Sequence, residues 1–114
     1  MHEMSYVVKF VNDAIDAAVA GDAKKVVSIT VSVGEMTGVL PEYLYKYYPD
    51  AVRGTILEGS ELIVDTVPVK TVCLKCGESY HPVKDNGYTC PHCGDSAGRV
   101  IAGRDVVLER VEVC

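Results

Sequence analysis

The sequence lacks the long apolar stretch that a membrane-spanning segment requires. Its apolar runs are only a few residues long, as at residues 17–20, whereas a transmembrane helix needs about 20 consecutive apolar residues. The first residues, Met1-His2-Glu3, also lack the basic segment and following apolar stretch of a secretory signal peptide. We therefore expect a cytoplasmic protein with no membrane partner.

Clusters of basic residues are scarce as well. The 114 residues include 11 Lys and Arg and 16 Asp and Glu, for a formal net charge of −5, and no basic cluster exceeds Lys24-Lys25. An acidic surface repels phosphate backbones, which disfavours a nucleic-acid partner. The length and the 48% share of hydrophobic residues fit one globular domain, with at most a small inserted module.

The hydrophobic periodicity predicts two helices and a small mixed sheet, an α+β fold. Residues 3–20 repeat apolar side chains at helical spacing, and a second, aromatic helix begins at Pro41 and should end or kink at Pro49. Residues 26–33 alternate between Val or Ile and Ser or Thr, which predicts a half-buried strand. Further strands are expected at 61–69 and 105–113.

Residues 70–101 differ in composition from the rest of the chain. They hold four of the five cysteines and few large aliphatic residues, too few to bury a core without a metal or other cross-link. Because strand patterns lie on both sides of this stretch, we expect an inserted zinc-ribbon-like module at 70–101. The host domain is then formed by residues 1–69 and 102–114.

The cysteines of this module have the spacing of a metal site. Two Cys-x-x-Cys-Gly units, at Cys73 and Cys76 and at Cys90 and Cys93, are separated by 13 residues. Two such knuckles supply four thiolates in a tetrahedron, which predicts a closed, structural Zn(II) site. The same sulfurs could hold iron in a rubredoxin-like way. A dithiol oxidoreductase is a weaker alternative, since no general base stands near a thiol in the sequence, and we expect no enzyme activity.

Three further side chains near this motif are open to more than one interpretation. His81 and His92 flank the cysteines, and we expect both to face solvent; the alternative is that one replaces a thiolate or tunes the site with pH. Cys114 belongs to neither pair and is expected to be a bystander thiol.

The amino terminus is a second candidate metal site. The α-amine of Met1 with the amide nitrogen and imidazole of His2 can close two fused chelate rings, and Glu3 can complete a square plane. Such a ligand set suits Ni(II) or Cu(II). Taken alone, a three-residue match is usually accidental, with His2 solvated and Glu3 favouring the start of the helix.

Several motifs in register resemble one known family. They are Met1-His2-Glu3-Met4-Ser5, Val33-Gly34-Glu35, Thr37-Gly38-Val39-x-Pro41-Glu42-x-Leu44, Gly54-Thr55-x-x-Glu58-Gly59, the two cysteine knuckles and Val111-Glu112-Val113. In this order and spacing the chain resembles the HypA/HybF family of hydrogenase and urease nickel-incorporation (maturation) proteins.

The resemblance implies a nickel metallochaperone whose α/β nickel-binding domain is interrupted by a four-cysteine zinc module. Ni(II) would be a transient cargo at Met1, His2 and Glu3, and Zn(II) would be structural. The implied partners are a HypB-type GTPase and the large-subunit precursor of a [NiFe] hydrogenase, with urease and its accessory proteins served by some members. The chain could be a monomer or a dimer.

A rival function is a zinc-ribbon module for protein interaction or nucleic-acid binding, without nickel. It would need a basic or aromatic face around the cysteines. Residues 70–101 hold four Lys and Arg against three Asp and Glu, which supports this rival poorly.

Overall fold

The computed structural model describes residues 3–83 and 87–114. Its helices are α1 (Glu3–Ala20) and α2 (Pro41–Val52), with a single 3₁₀ turn over Glu35–Thr37. Its strands are β1 (Val26–Gly34), β2 (Glu61–Val67), β3 (Lys70–Cys73), β4 (Ser79–Tyr80), β5 (Gly98–Ala102) and β6 (Val106–Val113). In the described residues, no helix is long and apolar enough to cross a membrane.

The first sheet is mixed, as predicted, and two helices pack on it. Its strand order is β2-β1-β6, with β1 parallel to β2 and antiparallel to β6. The apolar stripe of α1 and one face of α2 bury their side chains against β1, and the rings of Phe10 and Tyr48 join the two helices at a centroid distance of 6.4 Å. The fully buried side chains include Val7, Ile29, Val31, Leu44 and Leu57. The predicted α+β class is confirmed.

Strand β1 is more deeply buried than the alternating pattern predicted. Its polar side chains Ser28, Thr30 and Ser32 are only 5–8% exposed. They lie on the face away from the helices, where Glu112 and Glu109 accept hydrogen bonds from the hydroxyls of Ser28 and Ser32. The long side chains of the neighbouring strand therefore cover the small ones of the central strand. The prediction of a half-buried strand is wrong, because both faces of β1 are covered.

Helix α2 continues past its internal proline. Pro41 occupies the first turn as expected, but Pro49 lies inside the helix, which ends only at Val52. Pro49 deprives the carbonyl of Tyr45 of its helical partner, because proline has no N–H to donate. The buried side chain of Val52 holds the last turn against the core. Of the two outcomes expected at Pro49, an end or a kink, the helix therefore does not take the first.

The second sheet is built from the segment between β2 and β6. Its order is β4-β3-β5, with both pairs antiparallel. The sequence patterns did not predict these strands, since they are only two to five residues long and have few aliphatic residues. They carry the cysteine knuckles at one end.

The two sheets meet where three backbone segments cross in close contact. A Cβ on Gly34 would lie 2.3 Å from the carbonyl carbon of Gly103, and one on Gly103 would lie 2.7 Å from the carbonyl oxygen of Pro68. Gly103 also has a φ of 83°, which favours glycine. Backbone hydrogen bonds cross this junction. The Gly34 amide donates to the carbonyl of Asp105 and the Met36 amide donates to the carbonyl of Gly103, each at 2.9 Å.

Candidate metal centre

Two knuckles of the same backbone design hold four of the cysteines, two in each. In the first, the Gly77 amide donates to the carbonyl of Cys73 at 2.9 Å; in the second, the Gly94 amide donates to the carbonyl of Cys90 at 2.8 Å. Both glycines have positive φ, 80° and 77°, a backbone conformation that favours glycine and that each turn requires. In each knuckle the first cysteine is buried and the second is exposed.

The sulfurs of the two knuckles converge on one point. The ligand atoms of Cys73, Cys76, Cys90 and Cys93 all lie within 4.8 Å of one another. Two of the Sγ–Sγ distances, from Cys73 to Cys93 and from Cys76 to Cys90, are 3.5 and 3.6 Å. A tetrahedral ion with sulfur ligands at about 2.3 Å has edges of about 3.8 Å. The donor set and its spacing therefore fit a zinc ion without a change of fold.

The four thiols do not ionise alike. A hydrogen bond from the Cys76 backbone amide is the largest influence on Cys73 and lowers the pKa of this thiol to about 7. The Glu78 amide acts in the same sense on Cys76, but desolvation and the neighbouring sulfurs outweigh it and raise the pKa of Cys76 to about 12. One thiolate thus forms readily, and it opposes the ionisation of the next thiol. Full ionisation requires a cation among the sulfurs.

The surroundings of the sulfurs are partly apolar. Tyr80 packs with the buried cysteines Cys73 and Cys90, and desolvation, followed by the charge of Cys73, raises the pKa of the tyrosine. Gly98 makes room for this ring, because a Cβ there would lie 2.8 Å from the tyrosine oxygen and 2.6 Å from Thr71 Cγ2. Lys75, at 4.0 Å from Asp95, bridges the two knuckles on the solvent side.

Neither His81 nor His92 belongs to the sulfur cluster, and His81 instead joins the two sheets. His92 is exposed. His81 Nε2 lies 2.9 Å from Glu35 Oε1, on the 3₁₀ turn that follows β1, and the same carboxylate oxygen accepts the Val69 amide. These two hydrogen bonds, that from Val69 being the stronger influence, hold the pKa of Glu35 below its usual value. The sequence analysis missed this contact, since its partners are 46 residues apart.

Of the predicted nickel ligands, the structure describes only Glu3. Met1 and His2 lie outside the described residues. Glu3 is the first residue of α1, and the following turns of the helix, at Tyr6 and Phe10, line a groove with Val106 at the start of β6. The helix therefore begins at the end of the first sheet where β1 and β6 meet the second sheet.

The described residues hold a single group of three or more potential metal ligands, and it consists of sulfur alone. A small α+β protein that brings four cysteines together on paired knuckles has the fold and the donor set of a protein that could hold one metal ion among its sulfurs. The particular family follows from comparison with known proteins. The model of the hydrogenase/urease nickel incorporation metallochaperone family, HypA, matches residues 1–113, and the chain belongs to this family.

Individual members of the family can be aligned with this chain over nearly their whole length. The chain is 34% identical over 113 residues to the hydrogenase maturation factor HypA of Picosynechococcus sp., with 99% of each chain covered. It is 38% identical over 114 residues to that of Methanocella arvoryzae, covering 99% of this chain and 98% of the relative. The solution structure of the Ni metallochaperone HypA from Helicobacter pylori shares the fold, with a TM-score of 0.73 at 18% identity over 99% of this chain and 97% of that one.

Proposed function

We propose that this protein is a cytoplasmic nickel carrier that binds Ni(II) through the Met1 amine, His2 and Glu3 and delivers it during maturation of a [NiFe] hydrogenase, or of urease. A structural Zn(II) is held by Cys73, Cys76, Cys90 and Cys93. Its partners are a HypB-type GTPase and the hydrogenase large-subunit precursor. We also propose that residues 1–69 and 102–114 form the nickel domain and that 70–101 form the inserted zinc module.

The observation that carries the proposal is that the ligand group in the described residues is already complete. Four sulfurs spaced for one tetrahedral ion leave no open position for an exchangeable cargo. Four thiolates also hold zinc tightly, which suits a permanent ion. A nickel ion that must later be surrendered needs other ligands, and the nitrogen donors at the amino terminus have the preference for Ni(II) that sulfur cages lack.

The chemistry required of a carrier is transfer without catalysis. A ligand set drawn from a chain terminus has few packed neighbours, so opening it costs little free energy. Nitrogen sites bind copper more tightly than nickel. Selection of nickel therefore rests on which metal ion is available to the protein and on the partner protein that receives it. Membership in the HypA family supports this function.

Metal analysis of the protein with its native amino terminus tests the proposal. We expect one zinc per chain as purified and one further nickel after titration. His2→Ala, or a short extension before Met1, should abolish nickel binding and leave zinc in place. His92→Ala is the matched control, because it removes an exposed imidazole and should leave both metals bound.

Two results would refute the assignment. Unchanged nickel binding in His2→Ala would remove the amino-terminal site. X-ray absorption that places nickel among sulfur ligands would move the cargo to the knuckles. A salt-dependent complex with RNA or DNA would instead favour the zinc-ribbon rival.

A further inference from the structure

Strand β6 leaves one edge of the first sheet open. It is the last strand in the order β2-β1-β6, and in the described part of the chain no strand pairs with its outer side. Its helix-facing side chains Val106, Leu108 and Val111 are only partly buried, although they pack against the core. Val113, at the end of the strand, is 47% exposed.

A bulge in β6 makes the alternation of its side chains, towards the helices or away from them, symmetrical about the centre of the strand. Thr30 of β1 is opposite Arg110, but Val31 is opposite Leu108, so Glu109 is an extra residue. As a result, Glu109 and Arg110 both lie on the face away from the helices. The faces then alternate in the same order on both sides of this pair. The next residue on each side, Leu108 or Val111, faces the helices. The one after it, Val107 or Glu112, faces away, and the last, Val106 or Val113, faces the helices again.

We propose that a second copy of this chain pairs with β6 through a two-fold axis between Glu109 and Arg110, which joins two first sheets into one of six strands. In this antiparallel register Leu108 of one copy lies beside Val111 of the other, and Val106 beside Val113. Helix-facing residues meet helix-facing residues along the whole strand. A shift of one residue in either direction would set buried-face side chains beside outward-facing ones.

The charges of the central pair suit the same register. Glu109 of each copy is opposite Arg110 of the other, which gives two attractive cross-strand pairs. Any register that placed Glu109 opposite itself would set like charges together. The charge pattern therefore selects the same alignment as the pattern of faces.

The grooves beside β6 also complement each other across this axis. One, of about 340 Å³, lies next to Val106 and Leu108 and includes Tyr6 and Lys9 of α1. The other, of about 150 Å³, lies next to Val111 and Val113 and is lined by small residues, Ala17 and Gly21 among them. The two-fold axis brings the groove with large side chains on one copy against the groove with small side chains on the other.

Charge reversal tests the proposal on the full-length, zinc-loaded protein under reducing conditions, with the oligomeric state followed by sedimentation equilibrium. Glu109→Arg and Arg110→Glu each create two like-charge pairs, and each should weaken the dimer about tenfold or more. An equimolar mixture of the two variants restores both attractive pairs and should form a heterodimer. Glu61→Arg is the control, since it makes the same charge change on an exposed residue of the opposite edge strand and should leave the dimer intact.

Amide hydrogen exchange supplies an independent measurement. Protection of residues 106–113 should rise with protein concentration in the wild type and should not rise in either single variant. A protein that is monomeric at every concentration would overturn the proposal and indicate that the bulge blocks the edge. A dimer that survives both charge reversals would overturn it too, and would indicate another interface, such as exchange of the second sheet between chains.

Discussion

Gly34→Ala tests the packing of the junction between the two sheets. Gly34 has φ −72° and ψ 135°, ordinary extended angles that alanine adopts freely. The substitution therefore changes only the space occupied. The new methyl group would lie 2.3 Å from the carbonyl carbon and oxygen of Gly103 and 2.8 Å from the amide nitrogen of Arg104. These are backbone atoms and cannot turn aside as a side chain could.

The expected cost follows from the displacement required. Carbon atoms in contact stand about 3.5 Å apart, so the two segments must separate by about 1 Å. The hydrogen bonds from Gly34 to Asp105 and from Met36 to Gly103, both 2.9 Å long, would then exceed hydrogen-bonding distance. Two lost bonds cost about 1–3 kcal/mol, and reduced freedom of the unfolded chain returns about 0.4–1 kcal/mol. With the middle of each range, we expect a net loss of about 1.3 kcal/mol.

Denaturant unfolding followed by far-UV circular dichroism measures this loss on the zinc-loaded protein. Gly21→Ala is the matched control, because a Cβ there would meet only ordinary contacts at 3.6 and 3.8 Å, and its free energy of unfolding should be unchanged or slightly raised. A Gly34→Ala protein as stable as the Gly21→Ala protein would show that the close approach at Gly34 is not a constraint.

Two further predictions concern the zinc module and its link to the first sheet. Cys73→Ala should lower the zinc content and the amide protection within 70–101, while nickel binding persists. Cys114→Ala is the control and should change neither zinc content nor protection, as measured by elemental analysis and hydrogen exchange. Loss of nickel binding in Cys73→Ala would refute two separate sites. His81→Ala should raise the pKa of Glu35, observed by carboxyl ¹³C NMR, though not fully, because the Val69 amide contributes more. Since the pKa of Glu35 is lowered by folding, its contribution to stability is present above the ordinary glutamate pKa and disappears as the pH falls through the lowered value. An unchanged Glu35 titration in His81→Ala would show that the 2.9 Å contact is absent in solution.

Patterns of neighbouring residues predicted those elements that are stabilised by contacts between residues close together in the sequence. The helical stripe predicted α1 over about residues 3–20, where the structure has it. The two Cys-x-x-Cys-Gly units predicted the sulfur cluster, because each knuckle closes through hydrogen bonds within a few residues. The resemblance supplied the family, which no single motif could have identified.

The features that the sequence patterns missed depend on partners distant in the sequence. Burial of Ser28 and Ser32 depends on Glu112 and Glu109, which lie 84 and 77 residues away. The continuation of α2 beyond Pro49 depends on the packing of Val52. The contact of His81 with Glu35 depends on how the two sheets meet. No window of neighbouring residues contains these contacts, so the sequence patterns could not predict them.

The order of strands along the chain has a consequence for biosynthesis. Strand β1 pairs with β6 only after the intervening residues have been made, since Val26 is opposite Val113. Both knuckles leave the ribosome before β6 does and need only neighbouring residues to close. Closure of the knuckles does not depend on β6, so an ion can be captured by the cysteines before the first sheet gains its third strand and the helix-covered core is complete.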